Sequence, residues 1–328
     1  MMKRVMTMGL MFGALASAAM AQTAANPAAP KPQASAMNLF PPVDPNNFTA
    51  TSPTAAEVNS FLKQLWGYDE NRVWSVAAIQ KTSAPGVAKI TVFVEDKTQP
   101  GKGSQSVFFS TPDGKHAIAG DVIDFGAQPF AEKRAQLQAQ ANGPSRGAKS
   151  DNLLLVEFAD MQCPHCKEAQ DTMEQLATDF PQAKIVFENF PLTELHPYAL
   201  EAAEEGVCVA KQKGDDAFFA YAKVVFETQG ALTSDSHQET LDSAVTRAGG
   251  DAKAVAACAA TPETKAAVLA QRKFGEDLGV NQTPILAVNG YLLPVAAIPY
   301  ETLKKIVIYR AEQDGVAVKV QPTLSTLK

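Results

Sequence analysis

The stretch "LLLVEFADMQCPHCKEAQDTM", residues 153–173, sets an apolar run just ahead of two cysteines that have only a proline and a histidine between them. Leu153 to Phe158 reads as a buried strand, and Cys163 to about Thr178 as a helix. Cys163 then stands at the first helical turn, where unpaired N–H groups and the positive end of the dipole favour an anion. A thiolate is such an anion. Pro164 suits that turn because it has no N–H to waste and its φ is already set; His165 can add positive potential or a hydrogen bond near the sulfur. Each pKa unit by which Cys163 falls below about 8.5 is worth roughly 1.4 kcal/mol of preference for thiolate over thiol. Cys166 lies on the same helix face, within bridging distance. The ring such a bridge closes is tiny, so as a staple it contributes little. A stabilised thiolate is also a better leaving group, which makes the disulfide a stronger oxidant of other thiols. A closed zinc site wants four ligands and no second Cys-x-x-Cys exists, so no metal is expected.

Downstream, Lys184 to Phe190 reads as a second buried strand, and a strand, helix, strand unit needs a right-handed crossover with both sheet faces covered. A long helical stretch runs from about Pro197 to Leu278, with Phe218, Phe219, Tyr221 and Phe226 as core residues on one helix. The segment "NQTPILAVNGYLLPV", 281–295, reads as strand, Asn-Gly turn and strand, and a helix follows from about Pro299 to Arg310. His116, His196 and His237 sit beside turn or helix-start signals and read as exposed polar residues. Upstream, a capping box at Thr54 and Glu57 opens a short amphipathic helix through Val58, Phe61, Leu62 and Leu65. Four apolar runs, 73–80, 87–96, 104–110 and 116–125, follow between turn signals and read as a small antiparallel sheet. The charged, Gln-rich stretch 129–143 reads as a helix and 144–152 as a mobile junction.

The first residues carry Lys3 and Arg4, an apolar run from Val5 to about Ala19, and Ala19-Met20-Ala21 before Gln22, the layout of a cleaved export signal. The run is shorter than the roughly 20 residues a spanning helix needs. The mature chain is therefore expected to be exported and soluble. Its formal charge of −6 becomes more negative when Lys3 and Arg4 leave, and nothing in it suggests nucleic acid. The organisation expected is an export signal, 1–21; an Ala/Pro-rich linker that need not fold, 22–52; an α+β N-terminal domain, 53–126; a linker helix and junction, 127–150; an α/β catalytic domain, 151–312; and a tail, 313–328.

With these elements in place, "VEFADMQCPHC" resembles the strand, loop and helix of the thioredoxin fold, and specifically the DsbA-like branch of thiol:disulfide oxidoreductases. The fold class implied is α/β, thioredoxin-like with a helical insertion, preceded by a small α+β domain. The resemblance makes Cys163, Pro164, His165 and Cys166 the catalytic motif, and gives Glu157 the place of a buried acid that relays the proton of Cys166. The competing reading of Glu157 is a solvated charge at a strand end. "GVNQTPILAVNG", 279–290, resembles the loop whose cis-proline faces the active site, here Thr283 before Pro284, with backbone that would pair with an extended substrate. Cys208 and Cys258 fall on helices of the insertion; they form either a structural disulfide, worth roughly 4 kcal/mol for a loop of about 50 residues, or two buried thiols. "FFSTPDGKHAIAGDVIDF", 108–125, is similar to the end of the dimerisation domain of DsbC and DsbG isomerases.

Three functions stay open at this point. The first is an exported enzyme that donates its Cys163–Cys166 disulfide to reduced or misoxidised exported proteins and is recharged by a membrane redox partner. The second is a dimeric isomerase and chaperone held reduced by such a partner. The third is a holdase or adhesion module with inert cysteines. No cofactor is expected, because electrons move through the sulfurs themselves.

Overall fold

The structure is a computed structural model that describes residues 39–119 and 122–318. The expected export signal, most of the linker and the end of the tail lie outside these residues.

The capping box forms: the Thr54 hydroxyl accepts from Glu57 N, the Glu57 carboxylate accepts from Thr54 N, and helix α1 (Ala55–Trp66) starts there. Its Val58, Phe61 and Leu62 recur at helical spacing and are buried against a sheet of β1 (Arg72–Lys81), β2 (Ala88–Asp96), β3 (Ser104–Ser110), β4 (His116–Ile118) and β5 (Val122–Asp124). The strands run antiparallel in sequence order. Two expectations are corrected here. The run 116–125 is two strands rather than one, β4 and β5 paired antiparallel. The end of the linker folds as well: Phe48 bridges Ile79 and packs on the sheet's core, so its apolar side chain gains by leaving water.

Helix α2 (Ala131–Gln140) leads not into a mobile junction but into an edge strand, β6 (Ser145–Gly147). Glu188 accepts from Asn142 N and Gly143 N, and Asp215 accepts from Ser145 N, so the backbone of this connection is satisfied by carboxylates from farther along the chain. Then come β7 (Leu154–Ala159), α3 (Pro164–Asp179) and β8 (Lys184–Asn189), with β7 and β8 parallel as the crossover requires. The helical stretch is five helices, α4 (Ala199–Lys213), α5 (Asp215–Thr228), α6 (His237–Arg247), α7 (Ala252–Ala259) and α8 (Pro262–Asp277). β9 (Ile285–Val288) and β10 (Tyr291–Leu293) pair across Asn289 and Gly290, whose φ values of 46° and 91° suit an Asn-Gly hairpin turn. Gly290 is required there: a Cβ would meet the Phe130 carbonyl oxygen at 2.4 Å. Helix α9 (Tyr300–Gln313) closes the fold.

The second sheet has the order β10-β9-β7-β8-β6. Its middle strand, β7, is buried along its whole length because both faces are covered. Leu155, Ile185 and Leu286 face Met173 and Leu176 of α3 and Leu303 and Ile306 of α9. Val156, Phe158 and Val186 face Leu137 of α2 and Phe274 of α8. The chain is thus α/β with a helical insertion, preceded by a small α+β unit. The two sheets are tied by α9: Arg310, 4% exposed, donates to the Gln64 carbonyl and lies 4.7 Å over the Phe130 ring, and Tyr309 donates to the Lys63 carbonyl.

Within the insertion Phe218, Tyr221 and Phe226 are buried, and Phe219 is partly buried under the Arg146 guanidinium. Cys208 of α4 and Cys258 of α7 are joined by a disulfide that closes a 50-residue separation. Replacing both by alanine is expected to cost about 4 kcal/mol, from the loop-closure entropy restored to the unfolded chain. Spread over a cooperative unit of about 300 residues, that lowers the melting temperature by about 6 °C. Calorimetry of the double variant checks it, and an unchanged transition would show that the bridge holds nothing.

Candidate functional site

Strand β7 delivers Asp160, Met161 and Gln162 to the mouth of α3, and a web of hydrogen bonds holds that loop. The buried Asp160 carboxylate accepts from Gln162 N at 2.7 Å and Leu192 N at 2.8 Å, and meets His196 Nδ1 at 2.8 Å. Gln162 donates to the Leu232 carbonyl and accepts from Tyr198 N. Gln229 donates to the carbonyls of Met161 and Cys163. Segments of the insertion and of the loop leading into it therefore fix the backbone that enters the motif.

Cys163 is the N-cap of α3, with φ −72° and ψ 123°, and Pro164 opens the first turn. Both cysteines are free thiols, but their surroundings differ: Cys163 is 5% exposed and Cys166 is sealed at 0%. The Asp160 N–H points at Cys166 Sγ across 3.4 Å. The Cys163 thiol is pushed down to about 5. The largest cause is donation from the Cys166 thiol to its sulfur; the backbone N–H groups of Cys166 and His165 add to it, and burial opposes it. Cys166 is driven well above the ordinary thiol range by burial and by the charge on Cys163. The N–H groups at the helix mouth contribute, but the neighbouring thiol outweighs them.

His165 does not turn its ring to the sulfur. Its side chain is 68% exposed, and Nδ1 lies 2.9 Å from Glu168 Oε2, which raises its affinity for a proton. It is the His165 backbone N–H that supports the thiolate. Glu157 is 2% exposed, so it is buried and not a solvated strand end. Burial pushes its carboxyl up to about 7, opposed by a hydrogen bond from Gln170 and by the charge of Arg146, while Glu174 adds to the rise.

The Thr283–Pro284 peptide bond is cis, and the Thr283 carbonyl oxygen lies 3.8 Å from Cys163 Sγ. The Thr283 hydroxyl is buried and has no partner among the described residues. The five residues Cys163, Pro164, His165, Cys166 and Glu157 thus gather with Thr283 and Pro284 around one helix mouth. Cys208 and Cys258 sit apart in the insertion. Among the described residues no group of three His, Cys, Asp or Glu side chains is arranged to hold a metal.

The expectation of an exposed His196 is corrected: its side chain is 18% exposed because it is drawn onto Asp160. His237 stacks on Tyr198 at 4.3 Å, and His116 lies between Asp113 and Asp124. Asp160, Gln162, Gln170 and Gln229 were not singled out from the sequence. Only Asp160 and Gln162 carried a signal, as polar residues wedged between a buried strand and the motif.

The chain can be set beside known proteins on this geometry. Over 88 residues, 26% of its length, it is 36% identical to the Na(+)/H(+) antiporter NhaA 1 of Salinispora arenicola. That stretch spans 13% of the antiporter's own length. The crystal structure of Proteus mirabilis ScsC in a transitional conformation is similar with a TM-score of 0.47 and 22% identity, over 56% of this chain and 79% of that one. The thiol-disulfide exchange protein alpha-DsbA2 of Wolbachia pipientis is similar with a TM-score of 0.48 and 23% identity, over 54% of this chain and 94% of that one. The thioredoxin family matches residues 140–308, just over half of the chain. That span takes in every strand of the second sheet together with Cys163 and Cys166, and the chain belongs to the thioredoxin family.

Proposed function

We propose that the chain is an exported thiol:disulfide oxidoreductase of the DsbA-like type, which passes a Cys163–Cys166 disulfide to reduced protein thiols. The observation that carries this reading is the asymmetry of the pair: one sulfur at the rim with its thiol pushed down to about 5, the other sealed with its thiol pushed up. A substrate thiolate attacks Cys163 Sγ, the bond to Cys166 breaks, and Cys166 leaves as a thiolate that takes up a proton through Glu157. A second substrate thiolate then attacks the substrate sulfur of the mixed disulfide and releases Cys163 as a thiolate. The substrate loses two electrons and gains a disulfide, and the pair at 163 and 166 is left as a dithiol. A membrane redox partner takes those two electrons and restores the bond. The low-pKa leaving sulfur favours donation, because the more stable the departing thiolate, the more oxidising the disulfide. The Thr283 carbonyl oxygen, 3.8 Å from Cys163 Sγ, supports pairing of an extended substrate segment beside that sulfur. Export rests on the layout of residues 1–21. Among the described residues no helix is long and apolar enough to cross a membrane.

A second reading is a dimeric, DsbC-like isomerase, favoured by the leading unit. There Val107, Phe109 and Ile118 are 36–40% exposed on the first sheet, in keeping with a face that meets a second copy. One set of measurements separates the two. The oxidised chain is equilibrated with glutathione and its mass followed by sedimentation. A donor is expected to be more oxidising than about −180 mV and to consume two thiols of a reduced test protein per chain. A more reducing value together with a dimer would favour the isomerase, and a chain inert toward thiols would overturn both.

A further inference from the structure

Gln170 lies one helical turn beyond Cys166 on α3 and is half-buried. Its amide nitrogen donates to Glu157 Oε1 and to the Cys166 carbonyl oxygen, at 3.0 Å each. The carboxyl oxygen and the Cys166 carbonyl are therefore no farther apart than those two bonds laid end to end. Gln170 is the one hydrogen-bond donor to the Glu157 side chain among the described residues. The charged groups that act on this carboxyl are Arg146 of β6, which favours its ionised form, and Glu174 of α3, which opposes it. Arg146 and Glu174 are themselves an ion pair, so their fields on Glu157 partly cancel. What remains as a directed interaction is the amide of Gln170. A buried carboxylate with a single donor owes much of its aim, and of its tolerance for charge, to that donor.

We infer that Gln170 is a positioning residue: by gripping Glu157 and the Cys166 turn at once, it aims the carboxyl and sets how readily it accepts the Cys166 proton. This rests on the reading of Glu157 as the proton acceptor. In the step concerned, the Cys166 thiol gives its proton to the Glu157 carboxylate, and its sulfur attacks Cys163 in a mixed disulfide. The Cys163–Cys166 bond forms, the bond from Cys163 to the partner sulfur breaks, and the partner leaves as a thiolate.

The full-length chain is compared with Gln170→Leu, which loses both donations, with Gln170→Met, which keeps the length of the side chain, and with Gln170→Lys, which restores a donor. Two readouts are followed against pH: the carboxyl carbon of Glu157 by NMR, and the release of glutathione from a preformed Cys163–glutathione mixed disulfide. In Gln170→Leu and Gln170→Met the Glu157 midpoint is expected to rise by about one pH unit, with the pH of half-maximal glutathione release rising in step. In Gln170→Lys both should return to the wild-type position or below it. A Glu157 midpoint that stays put in the folded Leu and Met variants would overturn the inference and leave Gln170 a packing residue. Glu157→Gln tests the underlying reading separately. If the release profile ignores that substitution while the Gln170 variants still move the carboxyl, then the proton relay falls and the grip of Gln170 on Glu157 stands.

Discussion

Serine at position 163 is expected to lower the oxidation of a reduced test protein by about a thousandfold or more, to the background of the assay. A hydroxyl can neither form the Cys163–Cys166 bond nor be released as a stable anion, so the step that accepts the substrate sulfur is lost outright. Cys163 is the sulfur to remove because it alone keeps access, at 5% exposure against 0% for Cys166. Serine at position 166 should behave differently. The remaining thiolate still attacks disulfides, but no neighbour resolves the adduct, so a mixed disulfide at Cys163 accumulates and is read by mass. Both substitutions remove one sulfur from the same core, so the contrast between them does not depend on folding. Turnover by Cys163→Ser at the level of the parent chain would end the donor and isomerase readings together.

Much of this site was legible because its signals are local. The apolar run into Cys163, the capping box at Thr54 and Glu57, and the Asn289-Gly290 turn each declare themselves within a few residues. What escaped notice was long-range or too short to carry a period. The edge strand Ser145–Gly147 has three residues flanked by Pro144 and Ala148, and only its pairing with β8 makes it a strand. His196 sits 36 positions from Asp160 and reads as a polar residue ahead of a proline until the fold brings the two together. Gln229 reaches the Cys163 carbonyl across 66 positions. Gln170 is near in sequence, but nothing about a glutamine on a polar helix reveals that its amide is shared between a buried acid and a backbone carbonyl. Polar partners of this kind become visible only when burial makes their hydrogen bonds obligatory.

The pH dependence of Cys163 is the second large effect, and its shape is the test. With its thiol pushed down to about 5, the sulfur is a thiolate above that pH and is protonated as the pH falls through it. Alkylation of the reduced chain at Cys163 should therefore run on a plateau from about pH 8 down to about pH 6 and fall to half near 5, where an ordinary thiol of pKa about 8.5 has lost nearly all its rate. The rate at one pH decides less. At pH 6.5 a plain thiol is about one-hundredth ionised, but a thiolate whose pKa is lower by about 3.5 is also intrinsically some thirtyfold slower, so the two rates differ only a few fold. The same ionisation acts on stability. Because the native pKa lies below the unfolded one, the charge stabilises the folded dithiol at pH values above about 8.5, and the gain is lost as the pH falls through 5. Cys166, raised in the fold, is neutral in both states below about 8.5 and contributes no slope there. The melting temperature of the dithiol form relative to the disulfide form should accordingly rise between pH 5 and pH 8. A gap that stays flat over that interval, with an alkylation midpoint near 8.5, would mean that the thiol of Cys163 is not held as an anion.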